Sequence, residues 1–473
     1  MPELTPAEVV AHIDRQEVVD LALALGNLDS PTGSEGVAGQ FVYDWLSRNG
    51  FEPKKFALVE ERFNVAAWLE GGGGGYNLIF NSHLDTTLRP DAEWSAREPR
   101  DPLYHSAWIE GDEIWGDGVV NDKGPMAAFL VAAKAIKDAG YPLKGDLIVS
   151  AVCGEISREP IEEFQGWPYL SKDLGARFMI THGAMADFAL VAEGTGFGIV
   201  WIEPGKAHFK VTVYSDQPRY YSPYLPRPTG IVDAPNAIVR TSAVVQAFEQ
   251  WAYEYERRST YEGESSTIIP KASINAIRSG YAYNLTSTPQ VCSFYVDTRI
   301  LPGANPLDVR EGLRDLLRKV GVPGKVELFL YRPGFEAKGI ETFVDTIRRC
   351  HDQVFDTPPQ TVSPSVSSMW RDANVFNELG IPALSYGPRS ASHAAKKSFK
   401  IQDLYNASVV YARIAMDLCN QDRPRGLPLG SHVNASIAAS VSGASVNGRV
   451  AVGGGPPPPR PRRPRPRSTA PPT

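Results

Sequence analysis

Residues 78–85 of the chain read LIFNSHLD, an apolar run of three residues followed at once by polar ones. Such a run is typical of a short buried strand, here Leu78–Phe80, whose carboxyl end carries the polar residues. Asp85, two residues beyond His83, can point to the same side and orient the imidazole, as carboxylates do for metal-bound histidines. Taken alone, this His-x-Asp sequence also fits an ordinary surface histidine.

Three more short apolar runs predict buried strands, and they alternate with helical sequence such as residues 125–139, which stops at Gly140. This alternation predicts an α/β fold with a mainly parallel, doubly wound sheet and helices on both of its faces. The three further strands are predicted at residues 147–152, 188–192 and 383–386.

A potential metal ligand follows each of these strands, namely Glu155, Glu193 and His393. Because ligands of open α/β sheets collect beyond the carboxyl ends of the strands, we expect these side chains to converge with His83. Two histidines and two carboxylates, without a thiolate, are typical of a site for a hard or borderline divalent metal ion.

The sequence pattern changes at about residue 207 and predicts a small α+β insertion over residues 207–330. The predicted catalytic domain therefore comes in two parts, residues 1–206 and 331–422. Residues 423–473 are rich in proline and arginine and predict a disordered tail. The elements predicted inside the insertion are strands at 208–214 and 292–300 and helices at 236–255 and 306–320.

Composition excludes several classes of protein. The chain has 473 residues, of which 42% are hydrophobic, so it can bury a large core and is not wholly disordered. A net charge of −6 gives no case for a nucleic-acid partner. No apolar stretch is long enough to predict a membrane span, and the acidic N-terminal sequence does not predict a signal peptide. Four cysteines far apart in the sequence suit reduced thiols, so we expect a cytoplasmic location.

Short motifs occur in a fixed order along the chain, and as a set they resemble one family of enzymes. The chain resembles the co-catalytic metallopeptidase family of carboxypeptidase G, acetylornithine deacetylase, succinyl-diaminopimelate desuccinylase and aminoacylase, over about residues 8 to 420. The motifs are His83-x-Asp85-Thr86, Gly116-x-Gly118-x-x-Asn121-Asp122-Lys123-Gly124, Gly154-Glu155-Ile156, Glu193-Gly194-Thr195, Asp297-x-Arg299-x-x-Pro302-Gly303 and Ser392-His393.

The resemblance implies a catalytic domain split by a lid domain that also forms a homo-oligomer, and hydrolysis of a C–N bond in a small molecule by metal-activated water. It implies Asp85 and Glu155 as catalytic residues. The metal ligands it implies are His83, Asn121, Glu155, Glu193 and His393.

Four departures from the family pattern indicate altered chemistry rather than a decayed site. Asn121 stands where the family has an aspartate that links two metals, and a neutral amide brings no charge to offset their repulsion. Asp122 could replace it only if the backbone shifts. Gly154 stands in place of the family's general base, residues 214–221 lack the lid histidine, and lysines follow His393 instead of a carboxylate. We therefore expect one divalent ion per subunit (Mn, Zn or Co) and leave the base open among Glu155, Asp122 and Glu159.

These departures favour a reaction that builds no carbonyl oxyanion, because the missing histidine would stabilise one. The favoured function is an aminohydrolase that replaces an aromatic amine by hydroxyl, similar to nitroanthranilate aminohydrolase. Lid tyrosines including Tyr220 would hold the ring, and Arg219 and Arg371 a carboxylate, although either arginine could equally form a structural ion pair. The alternatives are an N-acyl amino acid deacylase or dipeptidase, and a non-catalytic metal-binding protein.

Overall fold

The structure is a computed structural model that describes residues 4–87, 102–156, 158–393 and 396–424. Of residues 391–393 and 396 it describes the backbone alone. The helices of this part of the chain are α1 Pro6–Val10, α2 Arg15–Gly26, α3 Gly36–Arg48, α4 Gly124–Ala139, α5 Ala176–Thr181, α6 Ala237–Arg258, α7 Pro306–Val320, α8 Glu341–Phe355, α9 Pro364–Ser367, α10 Ala373–Glu378 and α11 Ile401–Asn420.

The strands are short at the edges of the molecule and longer in its two main sheets. They are β1 Lys54–Val59, β2 Arg62–Leu69, β3 Leu78–His83, β4 Trp108–Glu110, β5 Glu113–Trp115, β6 Leu147–Val152, β7 Phe188–Val191, β8 Ile202–Glu203, β9 Gly205–Tyr214, β10 Tyr261–Glu262, β11 Thr267–Ile268, β12 Ala272–Ser279, β13 Val291–Ile300, β14 Gly324–Arg332, β15 Phe335–Glu336, β16 Ala383–Ser385, β17 Ser390–His393 and β18 Lys396–Lys400.

A six-stranded sheet of order β1-β2-β6-β3-β7-β16 forms the centre of the molecule. Strands β6, β3, β7 and β16 are parallel neighbours, while β1 and β2 pair antiparallel at one edge. Alternate side chains enter different cores: Leu78 and Phe80 pack with Phe129 of α4, whereas Ile79 packs with Phe376 of α10. Both faces of the sheet are thus buried under helices, which confirms the predicted mainly parallel α/β fold.

A second, four-stranded antiparallel sheet of order β12-β13-β9-β14 lies within residues 272–332 and 205–214. Its face packs against α6 and α7, where Phe209 and Phe294 meet Phe248 and Leu313 in one buried cluster. The predicted strands and helices of the insertion correspond to β9, β13, α6 and α7, and the structure adds β12 and β14. The domain bounds at 207 and 330 stay predictions.

The ordered body of the chain continues slightly beyond α11. Asp422 lies 2.7 Å from the Lys144 ammonium, and the Arg423 guanidinium lies 2.7 Å from the carboxylate of Asp187. Residues 425–473, which include most of the predicted disordered tail, lie outside the described residues. None of the helices in the described part combines the length and apolarity of a membrane span.

Truncation after residue 424 should leave the melting temperature and turnover unchanged, because the removed segment lacks the apolar periodicity of a helix or strand and its prolines cannot build a packed core. Differential scanning calorimetry of the full-length and truncated chains measures this. The matched control is truncation after residue 421, which also removes the ion pairs of Asp422 and Arg423 and should lower the melting temperature. A large loss of stability on truncation after residue 424 would show that the tail packs on the body.

Candidate metal centre

Strands β3, β6 and β7 end side by side, and polar residues follow each of them. His83 is the last residue of β3, Glu155 follows β6 and Glu193 follows β7. Residues 119–123 form a π-helical turn that leads into α4 and carries Asn121 and Asp122. Because the parallel strands run in one direction, these side chains meet at one edge of the sheet.

Three buried side chains form a compact cluster at this edge. His83, Asp122 and Glu193 each offer one ligand atom, and these atoms lie within 4.8 Å of one another. The Asp122 Oδ2 is 3.5 Å from the His83 Nε2 and, among the described residues, has no hydrogen-bond partner. The side-chain oxygen of Asn121 lies 3.1 Å from the same imidazole nitrogen. The structure therefore brings His83, Asn121 and Glu193 together and adds the carboxylate of Asp122.

The cluster fits a divalent cation. Burial and the charge of Glu193 raise the pKa of the Asp122 carboxyl well above its usual range. Without a cation, the negative charges of Asp122 and Glu193 would repel each other. A buried carboxylate oxygen without a partner is rare unless an ion or water completes its environment. One imidazole nitrogen and two carboxylates are a common ligand set for zinc and similar ions. The assignment of individual ligands stays a prediction.

Asp85 holds the imidazole of His83 from behind. The His83 Nδ1 lies 2.9 Å from the Asp85 carbonyl oxygen and 3.5 Å from its carboxylate. That carboxylate also accepts the backbone N–H groups of Glu155 and Ile156 at 3.0 and 2.8 Å and the Thr32 hydroxyl at 2.7 Å. These contacts aim the His83 Nε2 at the cluster, as a carboxylate behind a metal-binding histidine does.

Glu155 lies apart from the three-residue cluster and has a different partner. Its Oε1 accepts a hydrogen bond from the Lys172 ammonium at 2.7 Å, and the two side chains are only 11% and 2% exposed. Burial raises the pKa of the Glu155 carboxyl, but the charges of Lys172 and His83 outweigh burial and hold it below its ordinary value. Sequence analysis missed Lys172, because it lies in a loop and belongs to no motif.

Arg371 forms two buried ion pairs. Its Nε lies 3.2 Å from the Glu193 carboxylate and its Nη1 lies 3.0 Å from the Glu203 carboxylate. The sequence left a substrate contact and a structural ion pair open for this residue, and the structure has the ion pairs. Burial raises the pKa of Glu203 to about 7 despite the nearby guanidinium. Arg371 therefore holds one of the candidate ligands in place.

His393 is the last residue of β17, where its backbone pairs with Lys396 of β18. The side chain of His393 lies outside the described part of the structure, so its predicted role as a ligand stays a prediction.

A cavity of about 370 Å³ opens beside Glu155. Among the described residues, neither Arg219 nor Tyr220 lines it, and Arg219 is exposed to solvent. Its basic lining residues are Lys172, Lys206, His208 and Arg299, its acidic ones Glu155 and Asp297, and its aromatic ones Tyr295, Phe329 and Trp370. Of these, only Glu155, Asp297 and Arg299 belong to motifs that the sequence shows; the others are brought together by the fold.

Asp372 is a further acid that sequence analysis missed. Burial and the charge of Glu155 raise its pKa to about 7, and the Asn81 amide donates to its carboxylate at 3.2 Å. Glu159, one of the acids considered as a base, instead faces Lys206 at 3.5 Å and Arg332 at 3.2 Å. A carboxyl group that titrates near neutral pH suits proton transfer better than one held ionised by two cations.

Comparisons with known proteins match most of the chain to one family model. The family model described as "Peptidase family M20/M25/M40" matches residues 79–417. The N-formyl-4-amino-5-aminomethyl-2-methylpyrimidine deformylase of Bacillus subtilis is 29% identical over 186 residues, which cover 38% of this chain and 39% of that protein. The chain thus aligns with well under half of this curated relative's length.

Solved structures share the fold. Human carnosine dipeptidase 1 has a TM-score of 0.63 at 14% identity, covering 88% of this chain and 100% of that one. The YxeP protein of Bacillus subtilis, described as a dinuclear metal-binding peptidase, has a TM-score of 0.55 at 14% identity, covering 86% of this chain and 98% of that one.

Replacing Asp122 by asparagine should weaken the binding of a divalent metal ion, because the variant keeps the shape of the side chain and removes the charge. The loss should exceed the roughly 10–100-fold that changes outside the ligand shell cause. Competition with a chelating dye measures the affinity. Asn121→Ala is the matched control and should cost less, since the amide is neutral. Equal affinities of Asp122→Asn and the unchanged protein would remove Asp122 from the site.

Proposed function

The chain belongs to peptidase family M20/M25/M40, a family of metal-dependent C–N hydrolases, and from that premise we propose that it hydrolyses a C–N bond in a small carboxylate-bearing substrate. The observation that carries this proposal is the buried cluster of His83, Asp122 and Glu193. A cavity lined by Glu155 lies near it, since the Glu155 N–H donates to the same Asp85 carboxylate that lies 3.5 Å from His83. The cavity volume of about 370 Å³ is within the range of small-molecule sites.

The cluster would hold one divalent ion (Mn, Zn or Co) per subunit, although sites of this family usually hold two. Asn121 contributes no charge at the position that links two metals, and Glu155 already has Lys172 as its cation. A bound divalent ion supplies a water of lowered pKa at neutral pH. We propose Asp372, whose pKa is about 7, and Glu155 as the carboxylates that would act as the base, while Asp85 would keep the imidazole of His83 oriented.

The cavity lining has more basic than acidic side chains, which favours an anionic substrate. Lys172, Lys206 and Arg299 line it and lie 2.7, 3.5 and 3.2 Å from the carboxylates of Glu155, Glu159 and Asp297, and Asp297 also lies 3.3 Å from His208. A substrate carboxylate would gain charge-assisted hydrogen bonds there. The sequence suggested Arg219 and Tyr220 for this role, but among the described residues neither belongs to the cavity lining.

Amide hydrolysis, as in a deacylase or deformylase, is the reaction we propose first. In the sequence, a tyrosine-rich lid with Arg219 favours the aminohydrolase reaction on a nitroanthranilate-like ring. The structure weakens this argument, because other residues line the cavity. The aminohydrolase reaction remains the second candidate, because Tyr295, Phe329 and Trp370 offer flat walls to an aromatic ring. In either reaction the substrate is a small molecule and not a nucleic acid.

The exposed edge of the second sheet supports a homo-oligomer formed through the lid region. Strand β12 is the edge strand, and the loop after it carries Tyr283 and Leu285, which are 86% and 80% exposed. Apolar side chains beside an unpaired strand edge are typical of an interface. The four cysteines are free and buried, which supports our proposal of a reducing, cytoplasmic location.

An activity panel tests the reaction. N-formyl and N-acetyl amino acids should be cleaved, chelation should abolish turnover, and added metal should restore it, while aminobenzoates should release no ammonia. Glu193→Gln should lose the activity and keep its melting temperature. Ammonia from a nitro-substituted aminobenzoate, without cleavage of any N-acyl substrate, would select the aminohydrolase instead. Metal binding without turnover of either substrate class would contradict the proposal that the chain is an enzyme.

Replacing Tyr283 and Leu285 together by aspartate should convert a dimer to a monomer, because the buried like charges would oppose association. Size-exclusion chromatography with light scattering measures the mass. The matched control is Val37→Asp. Val37 is also exposed, but it lies in helix α3, outside the second sheet. A dimer that survives the double change would place the interface elsewhere.

A further inference from the structure

We propose that the ammonium group of Lys172 takes the place of a second metal ion at Glu155, so that the site pairs one divalent ion with one built-in cation. This inference rests on the proposed function, because it concerns the metal site of the same reaction. It names a residue that positions charge at the site and that no sequence motif contains.

The ammonium is held from two sides. Its nitrogen donates to the Glu155 Oε1 at 2.7 Å and lies 4.1 Å from the centre of the Trp370 ring. The Lys172 side chain is 2% exposed, so both contacts form away from bulk water and are weakly screened. Because the ammonium already balances the negative charge of the buried Glu155 carboxylate, that carboxylate attracts a second cation only weakly.

Gly154 lets the loop that carries Lys172 come this close. The residue has a φ of +74°, and a Cβ built on it would lie 2.4 Å from the carbonyl oxygen of Ser171. A glutamate here would therefore need both a left-handed backbone and the space that the loop fills. The contact of Gly154 with Ser171 therefore leaves no space for a glutamate at position 154, and Lys172, the next residue of the same loop, reaches Glu155.

A buried arginine fixes the same loop from the other side. The Arg62 Nη1 donates to the carbonyl oxygens of Trp167 and Leu170 at 2.8 and 2.5 Å. Its other nitrogens form a two-point ion pair with Glu35, at 2.8 and 2.6 Å. Because the loop is anchored before it reaches residue 172, the ammonium is positioned by the fold rather than by the carboxylate it meets.

The charges of the site agree with one divalent ion. The carboxylates of Asp122 and Glu193 match the charge of one such ion, and Lys172 matches Glu155. A second divalent ion at Glu155 would lie against the ammonium, and like charges a few ångströms apart in a protein interior repel by several kcal/mol. Asn121, being neutral, offers nothing to offset that repulsion.

Metal content measured by mass spectrometry after gel filtration tests the inference, with the Mn²⁺ spin-coupling signal as a second readout. The unchanged chain and Asn121→Asp should each bind one ion. The double variant Asn121→Asp with Lys172→Gln should bind two and show the coupled signal. The matched control is Asn121→Asp with Lys206→Gln, which removes the other lysine near Trp370 and should still bind one.

Two results would overturn the inference: two ions bound by Asn121→Asp alone, or a single ion bound by a Lys172→Gln double variant whose circular dichroism shows a native fold. The first does not depend on whether the lysine variant folds. Two ions on the unchanged chain would overturn the single-ion site and leave hydrolysis standing. One ion without cleavage of N-acyl substrates would overturn the proposed function and leave the role of Lys172 standing.

Discussion

The structure at the edge of the central sheet depends on how buried carboxylates are neutralised. Asp122 and Glu193 face each other beside His83, and Glu155 follows the end of the neighbouring strand β6. An isolated buried charge costs several kcal/mol, so each carboxylate requires a cation, a donor or a proton. Lys172 pairs with Glu155, Arg371 is shared between Glu203 and Glu193, and Asp122 and Glu193 together are left to face a bound ion.

This balance links elements that are far apart in the chain. Gly154 permits the close approach of the loop at Ser171, Arg62 anchors that loop, and Trp370 closes the far side of the ammonium. Trp370 directly precedes Arg371, which pairs with Glu193. The segment before α10 thus contacts Lys172 through Trp370 and provides Arg371, and Trp370 and Lys172 also line the cavity.

The sequence predicted the parts of the fold that local pattern determines. Strands β3, β6, β7 and β16 are continuous apolar runs, and the helix α4 has a clear stop at Gly140, whereas β12 alternates without an apolar run and was missed. The positions of His83, Glu155 and Glu193 followed from those strands.

The partners of these residues could not be predicted, because they come from distant segments: Lys172 lies 17 residues from Glu155, and Arg371 lies 168 from Glu203. The tyrosines near Tyr220 formed a visible cluster in the sequence, yet the cavity walls are Tyr295, Phe329 and Trp370. Tyrosines close together in the sequence thus suggested one side of the substrate site, whereas the aromatic residues that line the cavity come from three separate segments.

Anomalous diffraction from crystals grown with zinc tests the single-ion site, because it locates each bound ion. We expect one anomalous peak, about 2.0–2.2 Å from atoms of His83, Asp122 and Glu193, with the Lys172 ammonium still on Glu155. A second peak bound to Glu155, with Lys172 displaced, would contradict it.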